Sequence, residues 1–184
     1  MTADEIKKEF KYYYSNIHRP GADRLMGYRE QEGFFEAPAS RKFHGNYPGG
    51  LAEHSVNVTR NIMELGDRYR YWFGYSSETL ALVGLLHDLC KMGAYKMDEE
   101  EYVSSHSFPA GHGEKSVFMI LRFMELTEEE ILAIRWHMGG FDHAVVGGCR
   151  DQSYAYDQSA LAVMLHIADM KAAHLDERGD IPKI

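Results

Sequence analysis

Six residues of this 184-residue chain have the types and spacing to hold metal ions: His54, the adjacent pair His87-Asp88, His112, His137 and Asp169. The gaps are 33 residues from 54 to 87, 25 from 87 to 112, 25 from 112 to 137 and 32 from 137 to 169. Gaps of that size let each helix of a bundle contribute inward-facing ligands, a common way to build a metal centre from helices. Imidazole with carboxylate suits Fe, Mn, Zn, Co or Ni, and an Asp beside a His can bridge two ions. His87-Asp88 follows the apolar run 80–86, where a buried carboxylate is costly unless it is paired or bound to metal. One His on an apolar stripe is an ordinary core residue. Six such groups together point to one or two divalent transition-metal ions. No Ser or Cys constellation offers a side-chain nucleophile.

The elements that must position these groups read as helices. Ile6, Phe10, Tyr13, Tyr14 and Ile17 keep a helical period that ends at Pro20-Gly21, and a second helix fits residues 22–31. Residues 34–47 read as a packed irregular connection. After Gly49-Gly50, Leu51, His54, Val58, Ile62 and Leu65 form one stripe, which places His54 on a buried face. Ser76-Ser77-Glu78 caps a helix predicted over 77–91, apolar nearly all round and so central. Residues 94–103 read as a small hairpin or a loop, and a further helix is predicted over 113–125. Thr127-Glu128-Glu129-Glu130 is a capping box opening the helix that carries His137. Residues 138–158 show no periodicity and read as a long glycine-bearing loop, where a substrate lid would lie. A last helix carries Leu161, Met164, Leu165, Ala168, Asp169 and Ala172. The expected class is all-α, a bundle of about seven helices with at most one small β-hairpin.

Composition narrows the function. Hydrophobic residues make up 45% of the chain, enough for one sizeable core, and 20 Lys+Arg against 28 Asp+Glu give a net charge of −8. That balance disfavours long nucleic acid held by phosphate neutralisation. The longest apolar run is too short for a membrane span, and Asp4 and Glu5 sit where a secretory signal would need apolar residues. Cys90 and Cys149 form no disulfide framework. The expectation is a cytoplasmic protein without membrane contact.

The ordered set His54, His87-Asp88 and Asp169 resembles the defining motif of the HD-domain superfamily of metal-dependent phosphohydrolases. Longer stretches carry the likeness further: Ala37-Pro38-Ala39-Ser40, His44-Gly45-Asn46-Tyr47-Pro48-Gly49-Gly50-Leu51-Ala52-Glu53-His54, Leu86-His87-Asp88-Leu89-Cys90-Lys91 and Gly111-His112-Gly113-Glu114. Together these are similar to the HD domain of bacterial 3′-to-5′ exoribonucleases of the OB-plus-HD type, over residues 34–176. The resemblance implies an HD-domain helical bundle over 47–176, with 1–46 a helical extension packed on it and 177–184 a solvated tail. It implies that His54, His87, Asp88 and Asp169 hold a first ion, that Asp88 bridges, and that His112 and His137 hold a second. Asp88 and Lys91 would be the catalytic residues, Lys91 meeting the substrate phosphate, although a Lys there can also be a snorkelling helix-end residue. Cys90 stands where many relatives have Gly and reads as a buried structural thiol.

The implied activity is phosphoester hydrolysis by a metal-activated hydroxide, as a phosphomonoesterase or phosphodiesterase acting on a nucleotide or short oligonucleotide. No OB-domain pattern is read in these residues, so processive degradation of long RNA is not expected. The same six-ligand pattern serves a minority of the superfamily as di-iron oxygenases, and a metal-bound regulatory module without turnover is a third reading. Arg135 can clamp a phosphate or form a surface ion pair, and Asp142, His143, Tyr154 and Tyr156 lie in the predicted loop. Glu53 and Glu114 can orient His54 and His112 or remain solvated. His44 adjoins the glycine turn before the His54 helix, whereas His18, His106, His166 and His174 have no ligand-like context.

Overall fold

The computed structural model describes residues 1–99, 101–105 and 110–177; His106 and residues 178–184 lie outside them. The architecture is a helical bundle with one two-stranded antiparallel sheet. Among the described residues, no helix is long and apolar enough to cross a membrane.

Helix α1 (Ala3–Tyr14) opens with a capping box between Thr2 and Glu5 and buries Ile6, Phe10 and Tyr14. Helix α2 (Ala22–Gln31) packs beside it and buries Arg29 completely. The Arg29 guanidinium lies over the rings of Phe10 at 4.5 Å, Tyr14 at 4.5 Å and Phe34 at 5.1 Å. The irregular connection that follows leads into α3 (Gly50–Tyr69), whose buried stripe includes Leu51, His54, Val58 and Ile62 as the spacing predicts.

Helix α4 (Ser77–Leu86) is capped by Ser76 and buried from Leu80 to Leu86, so it is the central helix. It packs closely on α3 because residue 84 is glycine: a Cβ there would lie 2.7 Å from Thr59 Oγ1 and 2.8 Å from Thr59 Cα. The helix expected to continue to residue 91 stops at Leu86. Asp88 takes φ −106° and ψ 22°, and Leu89–Lys91 form a 3₁₀ turn. The break turns the Asp88 side chain inward, which an unbroken helix would not do on the same face as His87.

Strands β1 (Tyr95–Asp98) and β2 (Glu101–Ser104) then form the hairpin, with Tyr95 opposite Ser104 and Asp98 opposite Glu101. Helices α5 (His112–Leu121) and α6 (Glu128–Trp136) follow, the second opened by the Thr127–Glu130 capping box. Gly113 allows these two to touch: a Cβ at residue 113 would sit 2.2 Å from the Arg135 carbonyl oxygen.

Residues 138–158 are not the loop expected from the sequence. They hold a 3₁₀ turn (Gly139–Phe141), the one-turn α7 (His143–Val146) and α8 (Asp151–Gln158). Asp142 caps α7 through Ala144 N–H at 2.9 Å, and α8 buries only Ala155, so neither helix has an apolar stripe to announce it. Helix α9 (Ala160–Lys171) is capped by Ser159 and ends in a wide turn over Ala172–Asp176, closed by Glu177 N–H on the Ala172 carbonyl at 3.0 Å.

Candidate metal centre

Two of the histidines owe their orientation to the helix ends that carry them. His87 follows the last residue of α4 and His137 the last residue of α6. The final carbonyls of a helix lack an intrahelical donor. His87 Nδ1 takes the Gly84 carbonyl at 2.9 Å, and His137 Nδ1 takes that of Ile134 at 2.7 Å. A carbonyl only accepts, so each Nδ1 carries a proton, and in the neutral ring each Nε2 keeps a lone pair directed inward.

Those lone pairs converge on Asp88. His87 Nε2 lies 3.4 Å from Asp88 Oδ2, and His137 Nε2 lies 3.5 Å from Asp88 Oδ1. From α3, His54 Nε2 is 3.3 Å from His87 Nε2, 3.7 Å from Asp88 Oδ2 and 3.1 Å from Asp169 Oδ1 on α9. The ligand atoms of His54, His87 and Asp169 fall within 4.8 Å of one another. So do those of His87, Asp88 and His137, and those of Asp88, Cys90 and His112. The three triples overlap, the first two through His87 and the last two through Asp88. All six residues singled out in the sequence come together, with His54, His87, Asp88 and His137 fully or almost fully buried.

Charge is heavily compensated here. Burial works against ionised Asp88, but the Lys91 ammonium, 2.6 Å from Oδ2, and the neighbouring imidazoles hold it well below the usual carboxylate range. Asp169 is held down in the same way, against burial, by the bond to His54 and by His87 and His137. For His54, burial opposes protonation, yet Glu177 and Asp169 outweigh it and lift the ring to about 10. Burial lowers His87 and His112, which keeps their lone pairs free at neutral pH.

These residues fit divalent ions. Asp88 Oδ1 and His137 Nε2 are buried, face one another and have no hydrogen-bond partner, an arrangement that costs free energy unless something else meets them. An imidazole-plus-carboxylate set of this kind is what Fe, Mn, Zn, Co or Ni prefers.

The remaining predicted residues divide. Lys91 is buried and lines a cavity of about 710 Å³ that opens on Asp169 and is walled by Phe43, His44, Phe141 and Glu177. Its ammonium is bound to Asp88, so it is no freely snorkelling side chain. Arg135 pairs with Glu114 and, at 2.8 Å, with Asp142, while its guanidinium stacks 3.7 Å over Trp136. Arg135 is thus ion-paired in this fold, with Glu114 and Asp142 as its partners. Glu53 accepts from the Tyr47 hydroxyl at 2.6 Å. His143 is exposed on α7. Tyr156 donates to the Trp136 carbonyl at 3.2 Å and is packed rather than placed on a lid. Cys90 Sγ lies 3.6 Å from His112 Nδ1, and burial pushes its thiol up to about 12.

Glu177 was expected in a solvated tail. Its carboxylate instead meets His54 Nδ1 at 3.0 and 3.1 Å and is almost wholly buried. No periodic signal marks it, because it follows the wide turn after α9; the one hint in the sequence is Asn57 and Asn61, polar residues on the same side of α3 as His54. His44, whose ring centroid is 4.7 Å from that of His54, is held down to about 4 by burial and by the His54 charge.

Comparison with known proteins agrees with this geometry. The HD-domain family profile matches residues 51–173. A dihydroneopterin 2′,3′-cyclic phosphate phosphodiesterase of Methanocaldococcus jannaschii is 34% identical over 67 residues, 35% of this chain and 27% of that protein. The match thus spans about a quarter of the relative's length. No solved structure matches the chain significantly. A profile that covers two thirds of the sequence, and within it all six of the residues that converge at the candidate metal centre, leaves one conclusion: the chain belongs to the HD-domain family.

Proposed function

We propose that the protein is a metal-dependent phosphohydrolase that cleaves a phosphoester of a nucleotide or short oligonucleotide. His54, His87, Asp88 and Asp169 would hold one divalent ion, and Asp88, His112 and His137 a second. The observation that carries the reading is the pair of orphaned atoms, Asp88 Oδ1 and His137 Nε2, buried at the meeting point of four helices. Bound ions supply Lewis acidity and a water of lowered pKa. Membership of a family whose curated relative is named as a cyclic phosphate phosphodiesterase supports phosphoester chemistry.

The chain's own residues do the rest. Asp88 and Asp169 bring negative charge to the site in ionised form, which favours cations there. Lys91 stays protonated despite burial and stands on the cavity wall, where an ammonium neutralises charge growing on phosphoryl oxygens. Phe43 and Phe141, both largely exposed rings on that wall, offer apolar faces to a flat base. A cavity of about 710 Å³ accommodates a nucleotide-sized ligand.

The test is hydrolysis of a phosphomonoester and phosphodiester panel, including 2′,3′-cyclic nucleotides, by protein loaded with Mn²⁺. Turnover that stops on chelation supports the proposal. Oxygen consumption by iron-loaded protein without phosphoester turnover would replace it with the oxygenase reading.

A further inference from the structure

The chain after α9 turns back onto the metal-ligand face of α3. Glu177 meets His54, and the same carboxylate accepts from Asn57 Nδ2 at 3.0 Å. One turn further along α3, Asn61 Nδ2 donates to Asp176 Oδ2 at 2.8 Å, and Lys171 Nζ donates to Asn61 Oδ1 at 2.6 Å. His54, Asn57 and Asn61 are spaced by three and four residues, so one stripe of the helix receives the whole segment. The wide turn over Ala172–Asp176 is what brings it there: its i→i+5 closure redirects the chain from the axis of α9 towards α3.

A carboxylate on the far nitrogen of a ligand imidazole has a defined consequence. In the singly protonated ring it places the proton on Nδ1, leaves the lone pair on Nε2, and fixes the ring plane. His54 Nε2 is the nitrogen that faces Asp169, Asp88 and His87. Its Nδ1 is given over to Glu177, in the place where His87 and His137 use helix-end carbonyls. His54 lies inside a helix whose carbonyls are already paired, so its orienting acceptor must come from another part of the chain.

We propose that Glu177 is a positioning residue for the metal centre: it accepts the Nδ1–H of His54 and aims Nε2 at the ion site. The inference rests on the metal-centre reading above. Its test uses the full chain and Mn²⁺ as the probe, with wild type, Glu177→Ala, Glu177→Gln and Asp176→Ala titrated side by side. Removing an orienting partner of a metal-binding His weakens affinity about 10- to 100-fold, which is the expectation for Glu177→Ala. Glu177→Gln keeps an acceptor without the charge and should fall between Ala and wild type. Asp176→Ala removes the neighbouring contact to Asn61 but leaves Glu177 and its backbone closure on Ala172, and should bind within about twofold of wild type.

The Nδ1–H chemical shift of His54 in the Zn²⁺-loaded proteins supplies a readout that loss of packing alone would not move. Wild type and Asp176→Ala should show the His54 Nδ1–H shifted downfield by its carboxylate acceptor, and Glu177→Ala should lose that shift. Unchanged Mn²⁺ affinity and an unchanged Nδ1–H shift in folded Glu177→Ala, or in Glu177→Gln if the Ala variant fails to fold, would overturn the proposal. So would an equal loss in Asp176→Ala. Wild type that binds no Mn²⁺ removes the metal-centre reading itself, an outcome distinct from either.

Discussion

Arg29 and Asp88 are both fully buried, both charged, and both keep polar atoms without hydrogen-bond partners, yet their surroundings are opposite in kind. Arg29 leaves Nε and Nη1 unpaired among the rings of Phe10, Tyr14 and Phe34. Those ring faces carry negative potential, so the guanidinium brings its own cation to them and nothing further is needed. Burial lowers Arg29 only to about 10, and it stays charged at neutral pH. Asp88 leaves Oδ1 unpaired against His137 Nε2, among lone pairs and carboxylates that invite a cation from outside. One site is complete in the chain as folded. The other is completed by what it binds. Unpartnered buried polarity is therefore informative only together with the chemistry that faces it.

Substitutions can break or sharpen that contrast. The largest effect is expected at Asp88, because Asp88→Ala removes the group shared by two of the ligand triples. Phosphoester turnover should fall by about a thousandfold or more, with the fold retained by circular dichroism. At Arg29, truncation to Ala should cost about 2–5 kcal/mol of stability, as for other large-to-small core changes, and leave metal affinity unchanged. Denaturant midpoints with Mn²⁺ titration check both halves; a loss of metal affinity would show that the two regions are coupled. Lys91→Ala should cost about 2–4 kcal/mol in kcat/KM, roughly thirty- to a thousandfold, with metal occupancy intact. Normal kcat/KM on a phosphoester would remove Lys91 from substrate binding. Arg29→Met keeps most of the volume and should change stability by less than about 1.5 kcal/mol, which would show that the cage needs filling more than it needs charge.

A proton count gives the smallest effect. His54 is raised from 6.5 to about 10 in the metal-free fold, so it is protonated on both nitrogens at pH 7. Its interaction with Glu177 and Asp169 stabilises that fold fully below about pH 6.5 and is lost as pH rises through about 10. Metal loading at pH 7 should therefore release about one proton, visible as a buffer-dependent binding enthalpy. Loading without proton release would contradict the raised value.

The sequence shows the centre more clearly than its frame. The stripe through Leu51, His54, Val58 and Ile62 announces α3, the Thr127–Glu130 box announces α6, and an Asp behind a wholly apolar run announces its own burial. All are local signals, read over one or two turns. Glu177 and Arg29 carry no such signal. Glu177 reaches His54 only because of a wide turn 118 residues beyond it in the chain, from 54 to 172, and Arg29 is buried by rings from two other segments. The stop of α4 at Leu86 is also tertiary, since it serves the inward turn of Asp88. Helices α7 and α8 escape notice because they bury almost nothing.

Metal analysis of protein purified without chelator or affinity metal, on wild type and Asp88→Ala together, bears most directly on the centre. Six converging donors should carry about two transition-metal ions per wild-type chain, and removal of the shared carboxylate should empty most of that content. Wild-type protein that holds no ion when offered Mn²⁺, Fe²⁺ or Zn²⁺, or an Asp88→Ala variant that keeps its full content, would contradict the assignment.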